Sequence, residues 1–415
     1  MDAQLSSEGL GRKCDLGDVD IFSREHKRNP FPFYARLREE APVAKLKAPI
    51  LGEFWMVTHY ADVVSCLKDA KSFVKDPRNA GEKRRRTAPR WLPPSVKALE
   101  RNMGDSDDPN HRRLRTLVTE AFSRRRIEAL RERIEAIVDE LLWDMAREGE
   151  TDLVRQFALP LPLTVICEML GIPATDQHKF HKWSAACLGT SKLKMFLSTP
   201  TLLAFIHYIK RMYRSRQTQP GGDLVSALIE AREDEDRLSE NELIAMVVTL
   251  AIAGHETTVN LIGSGTLALL EHPDQKERLI ENPSLISSAI EELLRFTSPV
   301  ETATTRYATQ DIELGGALIR RGNLVLAAIA SANRDERTFP NPDDLDLSRD
   351  PNPHVALGDG VHYCLGHQLA RMEAEIAFAR LFERFRNLKL AKPVGDLVWR
   401  ETPIVRGLEA LPVKL

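Results

Sequence analysis

The chain has 415 residues, of which 43% are hydrophobic and 28% charged, which is enough apolar material for a sizeable core in a soluble globular protein. The formal net charge of −2 gives no indication of nucleic-acid binding. The five cysteines are Cys14, Cys66, Cys167, Cys187 and Cys364. They are scattered and never form a C-x-x-C pair, which argues against a disulfide framework and against a structural zinc site.

The first twenty residues contain no apolar stretch typical of a secretory signal. The most apolar stretch, residues 243–253, is too short to span a bilayer, and the polar residues His255 and Glu256 come directly after it. We therefore expect a cytoplasmic protein that does not bind a membrane.

The predicted elements of the first half are a mixture of helix and strand. Turn residues and apolar spacing predict helices at residues 30–40 and 61–69, a strand at 54–58, a long irregular loop at 76–109, and helices at 127–147, 161–170 and 202–213.

The second half contains the longest predicted helix. Ser239, with Glu242 three residues later, forms a capping box, and His272-Pro273 ends the helix near residue 271. A helix at 283–296, strands at 312–314 and 324–328, and a last helix at 365–386 come after it. The prediction is a mainly α fold with small β-sheets, in a single domain over residues 1–415, with a mixed β-containing part at about 30–110 and a helix-rich remainder.

The sharpest chemical signal is the segment from Leu357 to Gly366, with the sequence LGDGVHYCLG. Its glycines let the backbone turn tightly and approach a flat ligand closely. Cys364 lies just before a predicted helix, and the N–H groups of a helix N-terminus favour a thiolate over a thiol. Such a thiolate is a good axial ligand for iron.

This segment resembles the cysteine-loop signature of the cytochrome P450 family, F-x-x-G-x-x-x-C-x-G. Gly360, Cys364 and Gly366 match, and Leu357 stands where phenylalanine is usual. The resemblance implies the P450 fold, a triangular prism with haem b (iron protoporphyrin IX) between the long central helix and the cysteine-loop helix. It also implies a haem-thiolate monooxygenase, with Cys364 as axial ligand of the haem iron in the loop 357–366.

A pair of charged residues in the helix at 283–296 supports the resemblance. Glu292 and Arg295 lie on one face of that helix and are similar to the family's E-x-x-R. The role implied is structural, a buried ionic network completed by an arginine downstream of residue 333. The sequence leaves open which arginine this is.

The central helix carries the third motif, from Ala253 to Thr258. An acid and an alcohol in the middle of an apolar helix are costly unless they are used. The motif resembles the family's A-G-x-D/E-T, which implies that Thr257 holds dioxygen in a hydrogen-bonded pocket and that Glu256 helps to relay protons. Gly254 would leave room for oxygen and substrate.

Further residues are assigned to the haem and the substrate by the same resemblance. His111 and Arg115 resemble the family's H-x-x-x-R, and together with Arg306 and His362 they would neutralise the haem propionates. Gly358 and Gly366 complete the haem-binding set. The residues expected to line an apolar substrate pocket are Leu250, Ala253, Gly254, Val300 and Ile404.

Separate proteins are expected to supply the electrons, because the chain contains no flavin or iron–sulfur motif. A ferredoxin or flavodoxin with its reductase would pass them from NAD(P)H to the haem, with O2 as co-substrate. The basic residues Arg112, Arg113, Arg124, Arg125 and Arg126 either dock an acidic partner or form a solvated face. The partners expected are these proteins and a small-molecule substrate, with no nucleic acid, and the chain is expected to be a monomer.

Two other functions stay open at this point. A peroxide-using or rearranging haem-thiolate enzyme is disfavoured, because such relatives lack the acid–alcohol pair and Glu256 and Thr257 are both present. A non-catalytic haem sensor would not need a proton relay.

One charged stretch bears on the substrate. Residues 71–101 contain ten Lys or Arg against three acids. By resemblance this loop lies over the substrate side of the haem, where a basic mouth would attract an acidic substrate. The alternative is a solvated charge run.

Overall fold

The computed structural model describes residues 20–48, 51–81, 92–100, 102–186, 192–231, 238–402 and 404–415. Its helices are α1 (Arg24–Arg28), α2 (Phe31–Glu40), α3 (Tyr60–Lys68), α4 (Pro94–Lys97), α5 (Asn110–Ala121), α6 (Arg124–Glu128), α7 (Arg131–Met145), α8 (Pro160–Leu170), α9 (Gln177–Ala186), α10 (Lys192–Thr218), α11 (Leu224–Glu230), α12 (Glu240–Glu271), α13 (Pro273–Glu281), α14 (Ile286–Thr297), α15 (Ile329–Ala332) and α16 (His367–Arg384).

The strands form three small sheets. They are β1 (Val43–Ala48), β2 (Gly52–Val57), β3 (Phe73–Val74), β4 (Glu150–Asp152), β5 (Arg306–Ala308), β6 (Ile312–Leu314), β7 (Ala317–Ile319), β8 (Leu324–Ala327), β9 (Lys389–Leu390) and β10 (Pro412–Lys414). The largest sheet has the order β1-β2-β8-β5-β3, and the others are β4-β10-β9 and β6-β7. Within the largest sheet β2 and β8 are parallel, with Trp55 opposite Val325. The fold class predicted from the sequence, mainly α with small β-sheets, is confirmed.

The long helix α12 forms for the reason that the sequence indicates. The Ser239 side chain accepts a hydrogen bond from the backbone N–H of Glu242, and the Glu242 side chain accepts one from the N–H of Ser239. The helix ends at Glu271, directly before His272 and Pro273. In the described part of the chain it is the one helix long and apolar enough to cross a membrane, and 67% of its most apolar 18-residue window is buried inside the protein.

The main hydrophobic core surrounds α12, which packs against α8, α14 and α16. Because polar side chains in such a core need partners, the acid and alcohols of α12 are the residues that require an explanation. Two smaller apolar clusters lie on either side of the five-stranded sheet.

Two segments differ from the prediction. The region predicted as a long irregular loop contains α4 and two single-turn helices at Ala98–Glu100 and Met103–Asp105, while residues 82–91 and 101 lie outside the described chain. The last helix begins at His367, two residues later than predicted, because the chain after the cysteine first makes a turn and Gly366 becomes the N-cap.

Candidate active site

The loop that carries Cys364 needs its glycines. Gly358 and Gly360 have φ values of +74° and +69°, in the left-handed region that favours glycine. A Cβ at Gly360 would lie 2.6 Å from the carbonyl oxygen of Leu67 in α3. The loop is closed by the Cys364 N–H, which donates to the Leu357 carbonyl oxygen at 2.9 Å. Only glycine therefore lets this loop pass against the backbone of α3.

The thiol of Cys364 lies in a mixed electrostatic environment. Burial raises the pKa of the Cys364 thiol, and the backbone N–H of Gly366, Arg115 and Arg371 oppose that rise. The hydrogen bond from Gly366, the N-cap of α16, is the interaction expected when a cysteine precedes a helix. A cation bound at the sulfur would lower the pKa of the thiol and so favour the thiolate.

Cationic side chains converge beside this loop. His111 and Arg306 are 3% exposed, and Arg115 and His362 are half-buried. The rings of His111 and His362 are 4.2 Å apart between centroids, and Nε2 of His111 is buried with no hydrogen-bond partner among the described residues. Burial, followed by the nearby Lys75, lowers the pKa of His362 to about 2. The guanidinium charges of Arg115 and Arg306, with hydrogen-bonding histidines beside them, call for an anion in this place.

Lys75 belongs to this cluster, which the sequence reasoning missed. It is 5% exposed, and its Nζ donates to the Thr304 carbonyl oxygen at 3.2 Å and also to the Thr304 hydroxyl. Burial, followed by Arg306, lowers the pKa of Lys75 well below its usual range. The sequence places Lys75 in the basic run over the substrate side, whereas the structure places it among the buried cations. One lysine among ten cations gives no signal of its own, so only the pairing of β3 with β5 distinguishes it.

Thr257 and Glu256 lie on different sides of α12. Thr257 lines the cavity that also contains Cys364, and its Oγ1 donates to the Ala253 carbonyl oxygen at 2.9 Å. Glu256 is 2% exposed and accepts a hydrogen bond from Nη1 of Arg400 at 2.8 Å. Burial raises the pKa of Glu256, but the neighbouring His255, followed by Arg400, outweighs it and holds the value at about 2. The acid is therefore a buried carboxylate in an ion pair.

Arg400 is a second residue that the sequence reasoning missed. It comes 144 residues after Glu256, from a segment with little regular structure, so no spacing pattern connects the two. Its side chain is 23% exposed, and it therefore reaches solvent at one end and a buried acid at the other.

The cavity between Thr257 and Cys364 is mostly apolar. Its apolar wall includes Leu67, Ala253, Leu261, Leu294, Pro299, Val300, Ala303, Ile329 and Leu357. The structure thus places two of the expected lining residues, Ala253 and Val300, on the wall.

Three expected lining residues lie elsewhere in the described structure. A Cβ on Gly254 would meet Cδ1 of Ile166 at 3.0 Å, so this glycine allows α12 to approach α8 and does not make room in the cavity. Leu250 packs in the main core. Ile404 is not among the described residues that line the cavity. Its carbonyl oxygen accepts a hydrogen bond from the Glu301 N–H at 2.8 Å.

The E-x-x-R pair is fully buried. Arg295 donates from Nε and Nη2 to the two carboxylate oxygens of Glu292, both at 2.7 Å, and both residues are 0% exposed. Arg349 donates from Nε to Glu292 at 3.2 Å, which identifies the downstream arginine that completes the network. The other donors to Glu292 are the Asn352 side chain and the Asp346 N–H.

The network also ties down the segment after α15. Arg295 donates to the carbonyl oxygens of Asn333, Pro342 and Asp344. Because these bonds hold the chain that leads into the cysteine loop, the pair supports the side of the cavity that carries Cys364.

One more buried acid was missed. Glu373 in α16 is 1% exposed, and burial raises its pKa to about 8, with Thr258 beside it acting in the opposite direction. An acid between Met372 and Ala374, both buried, is visible in the sequence as a charge on the apolar face of the last helix. This charged residue on an apolar face is the sequence feature that could have identified Glu373.

The comparisons with known proteins agree with this geometry. The family model for cytochrome P450 matches residues 202–395. The polyketide biosynthesis cytochrome P450 PksS of Bacillus subtilis (strain 168) is 41% identical over 395 residues, which cover 94% of this chain and 97% of that protein. The cytochrome P450 monooxygenase PikC of Streptomyces venezuelae is 40% identical over 412 residues, which cover 99% of this chain and 96% of that protein.

Solved structures give the same answer for the fold. PksS superposes with a TM-score of 0.89 at 40% identity, over 96% of this chain and 99% of that one. P450BioI in complex with an acyl carrier protein ligated to hexadec-9Z-enoic acid superposes with a TM-score of 0.86 at 36% identity, over 94% of this chain and 99% of that one. The chain therefore belongs to the cytochrome P450 family, with the P450 fold, and it is a P450 monooxygenase.

Membership of this family implies haem iron, and the residues present fit that group. The thiol of Cys364 faces a cavity whose edge carries Lys75, Arg306 and two histidines, and the orphaned Nε2 of His111 is buried there. The basic side chains would pair with the haem propionates, and Cys364 would bind the haem iron.

Proposed function

We propose that this enzyme inserts one atom of O2 into an apolar or amphipathic organic substrate, by hydroxylation or epoxidation. The observation that carries the proposal is the position of Thr257 and Cys364 around one mostly apolar cavity. The cysteine and the alcohol support the oxygen-insertion reaction, and the apolar wall between them supports an apolar or amphipathic substrate.

The residues that would hold haem b are the basic side chains beside Cys364 and the residues of the loop 357–366. Cys364 would ligate the haem iron, while Lys75, His111, Arg115, Arg306 and His362 would bind the propionates through charge-assisted hydrogen bonds. Gly358 gives the loop its turn, and the backbone N–H of Gly366 donates a hydrogen bond to the sulfur. When bound, the haem supplies the activation of dioxygen.

Proton delivery is assigned to Thr257 and Glu256. The Thr257 hydroxyl bonds to the Ala253 carbonyl oxygen in this structure and must rotate to donate into the cavity. Glu256, whose pKa His255, followed by Arg400, holds at about 2, carries no proton at neutral pH. Because the Arg400 side chain is 23% exposed, its movement toward solvent would weaken the hold on the carboxylate and raise its pKa.

Electrons would come from NAD(P)H through a reductase and a ferredoxin or flavodoxin. The side chains of Arg112 and Arg124 are 79% and 80% exposed, and Arg112 lines a groove with Arg115, Gly360 and Val361 on the cysteine-loop side. Arg112 pairs with Asp108 at 3.1 Å and Arg124 lies 3.9 Å from Glu128, but both arginines stay exposed enough to meet an acidic partner. Reversing the charge in Arg112→Glu should raise the KM for ferredoxin, and the difference from wild type should shrink as salt rises.

A cytoplasmic, monomeric, single-domain enzyme is part of the proposal. Cys66, Cys167 and Cys364, the described cysteines, are free thiols, which suits a reducing compartment.

The substrate class that we propose is acyl chains and related polyketide-like molecules. The names of the relatives support this: PksS is a polyketide biosynthesis P450, and P450BioI was solved with an acyl chain on its carrier protein. The apolar wall accepts such a chain. Of the basic loop, residues 83–86 lie outside the described chain, while Arg78 pairs with Asp76.

The substrate assignment is tested by a ligand screen scored by the spin-state change in the haem absorption. A long-chain carboxylic acid and its methyl ester should both bind, and a basic mouth adds a salt-dependent preference for the acid. Equal affinities for acid and ester would remove the role of the basic loop. Absence of any spin-state change with acyl chains of several lengths would remove the substrate class.

The reaction is tested with NADPH and surrogate redox partners. Oxygenated product that depends on NADPH supports the monooxygenase, product formed only with added peroxide supports the peroxide-using alternative, and ligand binding without turnover supports a sensor. In Cys364→Ala the long-wavelength absorption band of the reduced carbon monoxide complex should be lost. Its retention would mean that another residue ligates the iron.

A further inference from the structure

Three metal-ligating side chains meet where α9 packs against α12. His181, His255 and Glu256 each offer a ligand atom, and these atoms lie within 4.8 Å of one another. His255 and Glu256 are 0% and 2% exposed. Nδ1 of His181 is buried and has no hydrogen-bond partner among the described residues. No sequence pattern indicates this cluster, because His181 and His255 are 74 residues apart.

The orientation of His255 is that of a metal ligand. Its Nδ1 lies 2.6 Å from the Ala251 carbonyl oxygen, so Nδ1 carries a hydrogen, and in the neutral ring Nε2 then has the lone pair. Nε2 lies 3.5 Å from Oε1 of Glu256. Metal-bound histidines usually donate their other N–H to a carbonyl oxygen, which fixes the tautomer.

We propose that His181, His255 and Glu256 bind a divalent transition-metal ion, Zn²⁺, with water as the fourth ligand. Ligands at about 2.0–2.1 Å from zinc at tetrahedral angles lie about 3.3 Å apart, close to the 3.5 Å between His255 and Glu256. All the ligand atoms lie within 4.8 Å of one another.

The surroundings of Glu256 suit a cation. The Glu256 carboxyl is 2% exposed and accepts a hydrogen bond from Nη1 of Arg400 at 2.8 Å through Oε2, which leaves Oε1 facing the cluster. Metal ligands must be in their deprotonated forms.

Arg400 is the competitor for this site. Its Nη1 lies 2.8 Å from Oε2 of Glu256, while Oε1 is the oxygen that faces His255. The guanidinium and the metal therefore share one carboxylate through different oxygens and repel each other. Removal of the arginine's charge should strengthen zinc binding, an effect opposite to that of removing a ligand.

The metal would connect α9 to α12 through Glu256. With zinc on Glu256, the carboxylate could not take up a proton, so turnover would slow. This consequence rests on the proposed function, whereas zinc binding itself does not.

Isothermal titration of the haem-loaded enzyme, freed of zinc by a chelator, with ZnCl2 tests the site. We expect one site in wild type, affinity reduced about tenfold or more in His181→Ala and in His181→Gln, and tighter binding in Arg400→Gln. His178→Ala is the matched control, because His178 is an exposed histidine on the same helix and lies outside the cluster. It should bind zinc like wild type.

The outcomes separate the two proposals. No zinc site in wild type, or equal zinc affinity in wild type and His181→Ala, overturns the metal site and leaves the monooxygenase untouched. Zinc binding that depends on His181 and slows wild-type turnover supports both. Zinc binding that depends on His181 but leaves turnover and coupling unchanged establishes the site and contradicts the role of Glu256 in proton delivery.

Discussion

The buried network around Glu292 gives the most quantitative stability prediction. In Glu292→Ala, Arg295 and Arg349 lose the only carboxylate partner that the described residues provide. Arg295 is 0% exposed, and the side chain of Arg349 is 9% exposed. Two guanidinium charges would then be buried without a counter-charge.

The magnitude comes from the cost of breaking a buried ion pair from one side, about 3–5 kcal/mol. The unfolding entropy is about 2 cal/mol/K per residue, and the chain has 415 residues. The midpoint of thermal unfolding should therefore fall by roughly 3–6 °C. Glu292→Gln keeps one acceptor oxygen and should lie between Glu292→Ala and wild type.

The assay is the circular-dichroism melting curve of the holoprotein at one fixed scan rate, with haem content measured on the same samples. The matched control is Glu53→Ala. Glu53 lies 2.8 Å from Nζ of Lys45, but the side chains of Lys45 and Glu53 are 51% and 66% exposed. Such a surface pair is worth little, so the control should melt within about 1 °C of wild type. A fully haem-loaded Glu292→Ala protein that melts like this control would refute the reasoning.

Three further predictions concern the site. Thr257→Ala should keep haem and substrate binding but yield several-fold less product per NADPH and more hydrogen peroxide, and unchanged coupling would leave Thr257 only a helix-structural role. Lys75→Gln should transfer haem to apomyoglobin about tenfold faster, because a charged hydrogen bond is worth about 1.5–3 kcal/mol, and an unchanged rate would contradict the propionate contact. Glu373 has a pKa raised to about 8, so its contribution is fully present below its unfolded pKa of about 4.3 and is lost as pH rises through 8. Between pH 5 and pH 9 Glu373→Gln should thus lose less thermal stability than wild type or the exposed-site control Glu383→Gln, and an identical pH profile in all three would contradict the raised pKa.

Much of the helical framework and the turn of the cysteine loop could be predicted, because both depend on local sequence. The capping box at Ser239 and the His272-Pro273 stop fix α12, and the glycines around Cys364 fix the turn of its loop. Local backbone requirements of this kind depend on residues that are close together in the sequence. The same holds for Glu292 and Arg295, whose spacing alone places them on one helical face.

The partners of these motifs depend on tertiary packing. The sequence by itself determined the family resemblance, the cysteine, the distal acid and alcohol, and the course of the main helices. Only the fold decided that Arg349 completes the network, that Arg400 holds Glu256, that Lys75 is buried beside Arg306, and that Gly254 faces Ile166. The physical reason is that an ion pair or a close contact requires proximity in space, and a long, mostly helical chain brings together residues whose separation along the sequence carries no periodic signal.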